Sequence, residues 1–157
     1  MEQTATISQR ASAKCPTCGA PAKRQPRSLD QHRRYFALIK SAFHHWPEAH
    51  EKQFGDETEL RKWLQMRAGY REIGAKIPLV GLNRDRAVML VEAAIRAAGS
   101  YAVPVVHGDT LVVFKPKSIK FDSMPHLEFC GLNNAVDDVL RAEGVDPDQL
   151  LAHGVPA

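Results

Sequence analysis

At 157 residues the chain is long enough for one domain with a single core and short for two. Apolar residues make up 44% and charged residues 25%, the usage of a soluble globular protein, and no apolar run approaches the roughly 18 residues of a membrane span, so no membrane partner is expected. The net charge of +3 is unevenly spread: the first 40 residues hold eight Lys or Arg against two acids, about +6, and the remainder about −3.

A basic segment beside a mildly acidic body suits a phosphate-binding surface, because Lys and Arg gain affinity by releasing counterions from a polyanion. It equally suits a solubilising tail. The N-terminal "MEQTATISQRASAK" lacks the order of charged, apolar and small residues of a secretory signal, and three cysteines make no disulfide framework. A reducing cytoplasm is the expected compartment.

Residues 1–26 carry Ser, Thr, Ala, Gln, Lys and three prolines with no apolar periodicity, and read as a flexible basic arm in front of a single domain over 27–157. At "SLDQ" a capping box opens a helix, with Ser28 able to accept a backbone N–H and Gln31 able to reach back. Leu29, His32, Phe36, Ile39, Phe43 and Trp46 recur at spacings of three and four and form its expected inner stripe, ended by Trp46-Pro47. A second helix is expected over 57–68, capped by Asp56, with Leu60, Trp63 and Leu64 inward and Gly69 as its stop. "YREIGAKIPLVGL" reads as either a broken strand or an ordered loop.

A third helix over 84–98 is expected to be capped by Asn83 and ended by Gly99, with Val88, Val91, Ala94, Ile95 and Ala98 inside. "YAVPVVHGDTLVVF" is two β-branched runs around a turn, a hairpin signature in which Pro104 must lie on an edge strand. "KPKSIKF" could extend it. Ser123 looks like the cap of a helix opening "MPHLEF", with Leu127, Cys130, Asn134, Asp137 and Leu140 in one rough line, Val136 and Val139 as a better apolar edge, and Gly144 as its end. Asp146 would cap a last short turn. The fold class is therefore α+β, helix-rich, with a small antiparallel hairpin or sheet.

Cys15 and Cys18 in "CPTCG" have the spacing of half a zinc site, in which two thiolates meet one ion. The other ligands would have to come from His32, His44, His45, His50, His126, Cys130 or a second chain. The alternatives are inert thiols or a degenerate remnant; a Cys-Pro-x-Cys redox role fits less well, because no strand precedes the motif. Zinc is the cofactor to which the pair points. Trp46 and Trp63 could stack on bases, though both also fit an inner helical stripe. Catalysis finds little support: "VHGDT" and "VDD" offer acids without a nucleophile or basic partner at a telling spacing, so no enzyme is expected.

The basic positions are more informative. Arg27, Arg33 and Arg34 bracket the start of the first helix, where the dipole already favours an anion, and Gln31 lies between them. Lys23 and Arg24 lie on the arm. Lys115, Lys117 and Lys120 form a second cluster after the hairpin.

"RSLDQHRRYFALI" resembles the Arg-Ser-Leu-x-Gln-Asn-Arg segment of the NinB (Orf) recombination proteins of lambdoid phages and a related set of small prophage proteins. "KPKSIKFDSMPHLEFCGLNNAVDDVLRAEGV" resembles the latter group closely and NinB loosely; the two blocks cover roughly 45 of 157 residues in the same order. The resemblance implies a dimeric phage protein that binds DNA, prefers single strands, and helps load a recombinase onto strands covered by the host single-strand-binding protein. It points to Arg27, Ser28, Gln31, Arg33, Ser118, Glu128 and Phe129. The chain departs from NinB in His32, where the motif has Asn, in its cysteine pair and in its middle.

Two expectations of different class follow. One is a nucleic-acid-binding accessory protein of phage recombination or replication; the other is a phage interaction protein that docks on a host nucleoprotein or defence complex without touching DNA.

Overall fold

The computed structural model describes residues 28–120 and 122–152. Within them the chain order is α1 (Leu29–His44), α2 (Glu57–Arg67), β1 (Arg71–Pro78), α3 (Arg84–Ala97), β2 (Val103–His107), β3 (Thr110–Pro116), α4 (His126–Ala142) and α5 (Pro147–Ala152). The fold is α+β, with five helices and one three-stranded antiparallel sheet among the described residues.

The helix starts follow capping chemistry. Ser28 Oγ accepts the Asp30 N–H at 3.2 Å, Asp56 Oδ1 the Glu59 N–H at 2.7 Å, and Asn83 Oδ1 the Arg86 N–H at 2.9 Å, each satisfying a donor that the first turn leaves free. The reciprocal half of the first capping box is absent: Gln31 turns instead onto α4, its Nε2 donating to Cys130 Sγ. Ser123 does not cap α4, whose N-cap is Pro125. The Ser123 and Met124 N–H groups both go to the Lys120 carbonyl, making a turn that buries Met124 and delays the helix.

The core lies among α1, α2, α4 and α5. Tyr35, Leu38, Ile39 and Ala42 of α1 meet Leu60 and Leu64 of α2 and Phe129, Leu132, Val136 and Leu140 of α4, all buried. Each such aliphatic side chain contributes roughly 1.5–3 kcal/mol by leaving water. The buried stripe of α1 is therefore offset from the expected one: Leu29 and Phe36 are exposed, and only Ile39 and Trp46 of the expected set are buried. Two overlapping three-four patterns run along this helix, and α4 covers the one containing Tyr35 and Leu38. Ser41, fully buried, donates from Oγ to the Leu150 carbonyl and ties α1 to α5.

The sheet runs β1-β3-β2, so "REIGAKIP" is a strand and Pro104 does lie on an edge. Gly108, at φ 57°, makes the turn between β2 and β3. Only β3 is well covered, with Leu111, Val112 and Val113 buried; it joins the helical core through α2. The largest departure from expectation is α3, of which no residue is buried. Val88, Val91 and Ile95 are half-covered where α3 packs on β2, while Met89 and Leu90 stand 69% and 63% exposed. Amphipathic spacing identified the helix but not the thinness of what it packs against.

Candidate functional site

A cleft of about 610 Å³ opens where α2 approaches the outer end of β3. Its walls are Arg61 and Lys62 of α2, the segment from Gly99 to Ala102, and the run from Lys115 to Lys120, with Gly74 of β1 beside them. Five of these residues are cationic and none is acidic.

Its construction begins with Gln65, a fully buried polar side chain. Gln65 Oε1 accepts from Arg61 Nη1 at 2.8 Å, and Gln65 Nε2 donates to the Lys117 carbonyl at 3.0 Å. The Gln65 carbonyl accepts the Tyr70 N–H, and the Tyr70 carbonyl accepts the Lys117 N–H. One buried amide thus fixes both a guanidinium on α2 and the chain leaving β3. Gly74 sits at the irregularity in the β1–β3 pairing, and a Cβ there would meet the Val113 carbonyl at 3.4 Å and the Lys115 side chain at 3.5 Å. The missing side chain leaves room for Lys115.

The charges differ in how they are compensated. Lys115 pairs with Glu72 at 3.2 Å, and Lys117 is hydrogen-bonded to Glu128 in the first turn of α4, which holds its ammonium above the usual lysine range. Among the described residues, Arg61, Lys62 and Lys120 have no carboxylate within ion-pair distance. Tyr101 lines the same cleft; burial, then Glu59, pushes its phenol up to about 12, so it remains a neutral O–H donor. The cleft can hold an anion through three uncompensated cations and a phenol, with Val113, Pro116 and Ile119 offering apolar surface alongside.

The sequence-derived basic positions separate. Lys115, Lys117 and Lys120 all line this cleft. Arg33 is exposed on α1 and pairs with Asp30 at 3.5 Å, which offsets part of its charge. Burial raises the Asp137 carboxyl of α4, and Arg34, exposed on α1, offsets part of that rise. Gln31 is turned inward onto Cys130. Lys23, Arg24, Arg27, Cys15 and Cys18 lie outside the described residues.

Sequence reasoning missed Arg61, Lys62, Gln65 and Tyr101. Arg61-Lys62 reads as an ordinary solvated face of α2, and only the approach of β3 makes it a wall. Trp46 and Trp63 are no base platforms: Trp46 is buried and donates from Nε1 to the Lys52 carbonyl at 2.9 Å, and the two indoles meet edge to face at 5.8 Å. His50, one of the candidate ligands, meets Glu143 Oε2 at 2.8 Å. Among the described residues no three His, Cys, Asp or Glu side chains gather to hold a metal, and no helix is long and apolar enough to cross a membrane.

No known family model, curated protein or solved structure matches the chain.

Proposed function

We propose that the protein is a nucleic-acid-binding accessory protein of phage recombination or replication, that it prefers single-stranded DNA, and that it works as a binding protein rather than an enzyme. The observation that carries the reading is the cleft whose lining holds Arg61, Lys62, Lys115, Lys117 and Lys120 and no carboxylate. A narrow basic groove with an aromatic side chain and apolar wall suits a single strand, whose phosphates take the cations and whose unstacked bases take the apolar surface. Resemblance of the "RSLDQHRR" and "KPKSIKF" blocks to the NinB group points the same way, and Ser118 of the second block lines the cleft.

The test is fluorescence anisotropy of labelled single-stranded and duplex DNA with the full chain. The Lys62→Glu, Lys120→Glu double variant should weaken single-strand binding at least tenfold, since it reverses two uncompensated charges. The Arg33→Ala, Arg34→Ala double variant, on α1, should weaken it less. Equal losses would move the interface to α1.

A second reading has its own observation. Met89 and Leu90 of α3, with Val80 and Leu82 before it, are large apolar side chains in water, as at a protein-binding surface. On the first reading a second copy covers them in a homodimer. On the second, a host partner such as the single-strand-binding protein or a defence complex does. Failure to bind either DNA at low salt, together with capture of one such complex, would favour the second.

A further inference from the structure

A second cavity, of about 360 Å³, adjoins the basic cleft. Ser100, Tyr101 and Ala102 line both, so the segment joining α3 to β2 is the wall that the two cavities share.

That wall starts where α3 stops. The Gly99 N–H donates to the Arg96 carbonyl at 3.1 Å and the Ser100 N–H to the Ile95 carbonyl at 3.1 Å, with Gly99 in the left-handed region at φ 61°. Glycine enters that conformation without strain, and the two bonds satisfy carbonyls that the last turn leaves open. The stop sets Arg96, in the last turn of α3, against the second cavity. Among the described residues neither the Ser100 nor the Tyr101 hydroxyl is engaged in a hydrogen bond, so both can donate to a phosphate oxygen.

The second cavity carries Lys52, Arg96 and Glu92. Lys52 pairs with Glu59 at 3.5 Å, which offsets part of its charge. Arg96 has no carboxylate within ion-pair distance among the described residues, Glu92 included. Val103 and Pro104 of the edge strand β2 add apolar surface. The cleft's combination of uncompensated cation, hydroxyl donor and apolar wall is thus repeated next to it. A small anion would need only one such cavity, whereas a single strand repeats phosphate and base along its length and suits two in succession.

We propose, on the reading of the cleft as a single-strand site, that the second cavity continues the same path: a strand seated in the cleft crosses the 100–102 wall, sets a further phosphate on Arg96 and lays its base against Val103 and Pro104. Glu92 is the one carboxylate among the described residues that line the two cavities. It repels that phosphate and weakens binding.

The test is fluorescence anisotropy of the full chain with labelled oligothymidylates of about 4 and about 12 nucleotides, within the roughly 4–16 nucleotides that single-strand sites occupy. Arg96→Ala should weaken the longer strand by about threefold or more, make its salt slope shallower by about 0.7, the share of one phosphate, and leave the shorter strand unchanged. Lys62→Ala, in the cleft, should weaken both lengths. Glu92→Gln should tighten the longer strand by about twofold, a gain that a damaged fold does not produce. Asp138→Asn, which removes an exposed carboxylate of α4 outside both cavities, should not. Unchanged affinity and slope in Arg96→Ala, with Lys62→Ala still weakening both lengths, would overturn the continuation and leave the cleft reading intact. Equal losses on the two lengths, or equal gains from Glu92→Gln and Asp138→Asn, would also overturn it. No salt-dependent binding of either strand would overturn the cleft reading and the continuation together.

Discussion

Gly131 shows how one atom can decide the sign of a substitution. It lies inside α4, where replacing Gly by Ala ordinarily stabilises a helix by about 1 kcal/mol. A Cβ at this position would stand 2.5 Å from the Tyr70 hydroxyl, however, and 3.8 Å from the ring carbon that bears it. The clash is with the hydroxyl alone. Gly131→Ala should therefore destabilise the protein, as Tyr70 is driven off its packing, whereas in a Tyr70→Phe background the same change should stabilise it by about 0.5–1 kcal/mol. Chemical denaturation of the four-member cycle measures both signs. Glu143 provides a pH prediction at the same scale. The His50 hydrogen bond, then Arg67 at 2.8 Å, hold its carboxyl below the usual carboxylate range against the opposing effect of burial. A folded value below the unfolded one means that its stabilisation is fully present above the unfolded carboxylate's pKa and is lost as pH falls through the folded one. Glu143→Gln should lower the melting temperature at neutral pH and flatten its fall through the acid range, as followed by circular dichroism.

At the scale of elements, the helices differ in how firmly they are held. The four helices around the core each bury part of a face, whereas α3 buries none and rests on an edge strand. Amides of α3 should exchange with deuterium well before those of α4 in an exchange experiment on the free protein, because local opening costs least where few apolar contacts break. Slow exchange throughout α3 in a monomer would contradict this. The same contrast explains what was legible in the sequence. Caps and stops depend on neighbours along the chain, so Asp56, Asn83, Gly69 and Gly99 could be read directly. Which side of a helix is covered depends on a distant partner, so spacing alone sets the buried stripe of α1 a residue off and gives α3 an interior that it does not have. The cleft was legible in part for the same reason: Lys115, Lys117 and Lys120 are neighbours in sequence, but Arg61 and Lys62 join them only through a contact between α2 and β3. Gln65 carried no signal at all, because a glutamine on a helix is ordinarily solvated. Gln65→Leu should cost about 1–3 kcal/mol, by leaving the Lys117 carbonyl without its donor. It should also weaken anion binding, as Arg61 and the 117–120 run lose their common anchor.

For the whole molecule, charge and apolar surface make separate demands. Arg61, Lys62 and Lys120, without a carboxylate partner, line the cleft, and the most exposed apolar side chains, Val80, Met89 and Leu90, stand on and before α3 with Leu82. A polyanion answers the first and a protein surface the second. On our account a second copy covers α3, so light scattering behind size exclusion should give twice the chain mass. Met89→Glu with Leu90→Lys should return the protein to a monomer that still folds, since neither side chain is buried.

The central claim, that the cleft neutralises the phosphates of a single strand, is tested most directly by the salt dependence of binding. Each phosphate neutralised on a single strand contributes about −0.7 to the slope of log K against log salt. Three or more contacts from the cleft predict a slope of about −2 or steeper for the full chain, and Lys62→Ala with Lys120→Ala should make it shallower by about 1.4. A slope unchanged by that double variant, or no binding at low salt, would contradict the account.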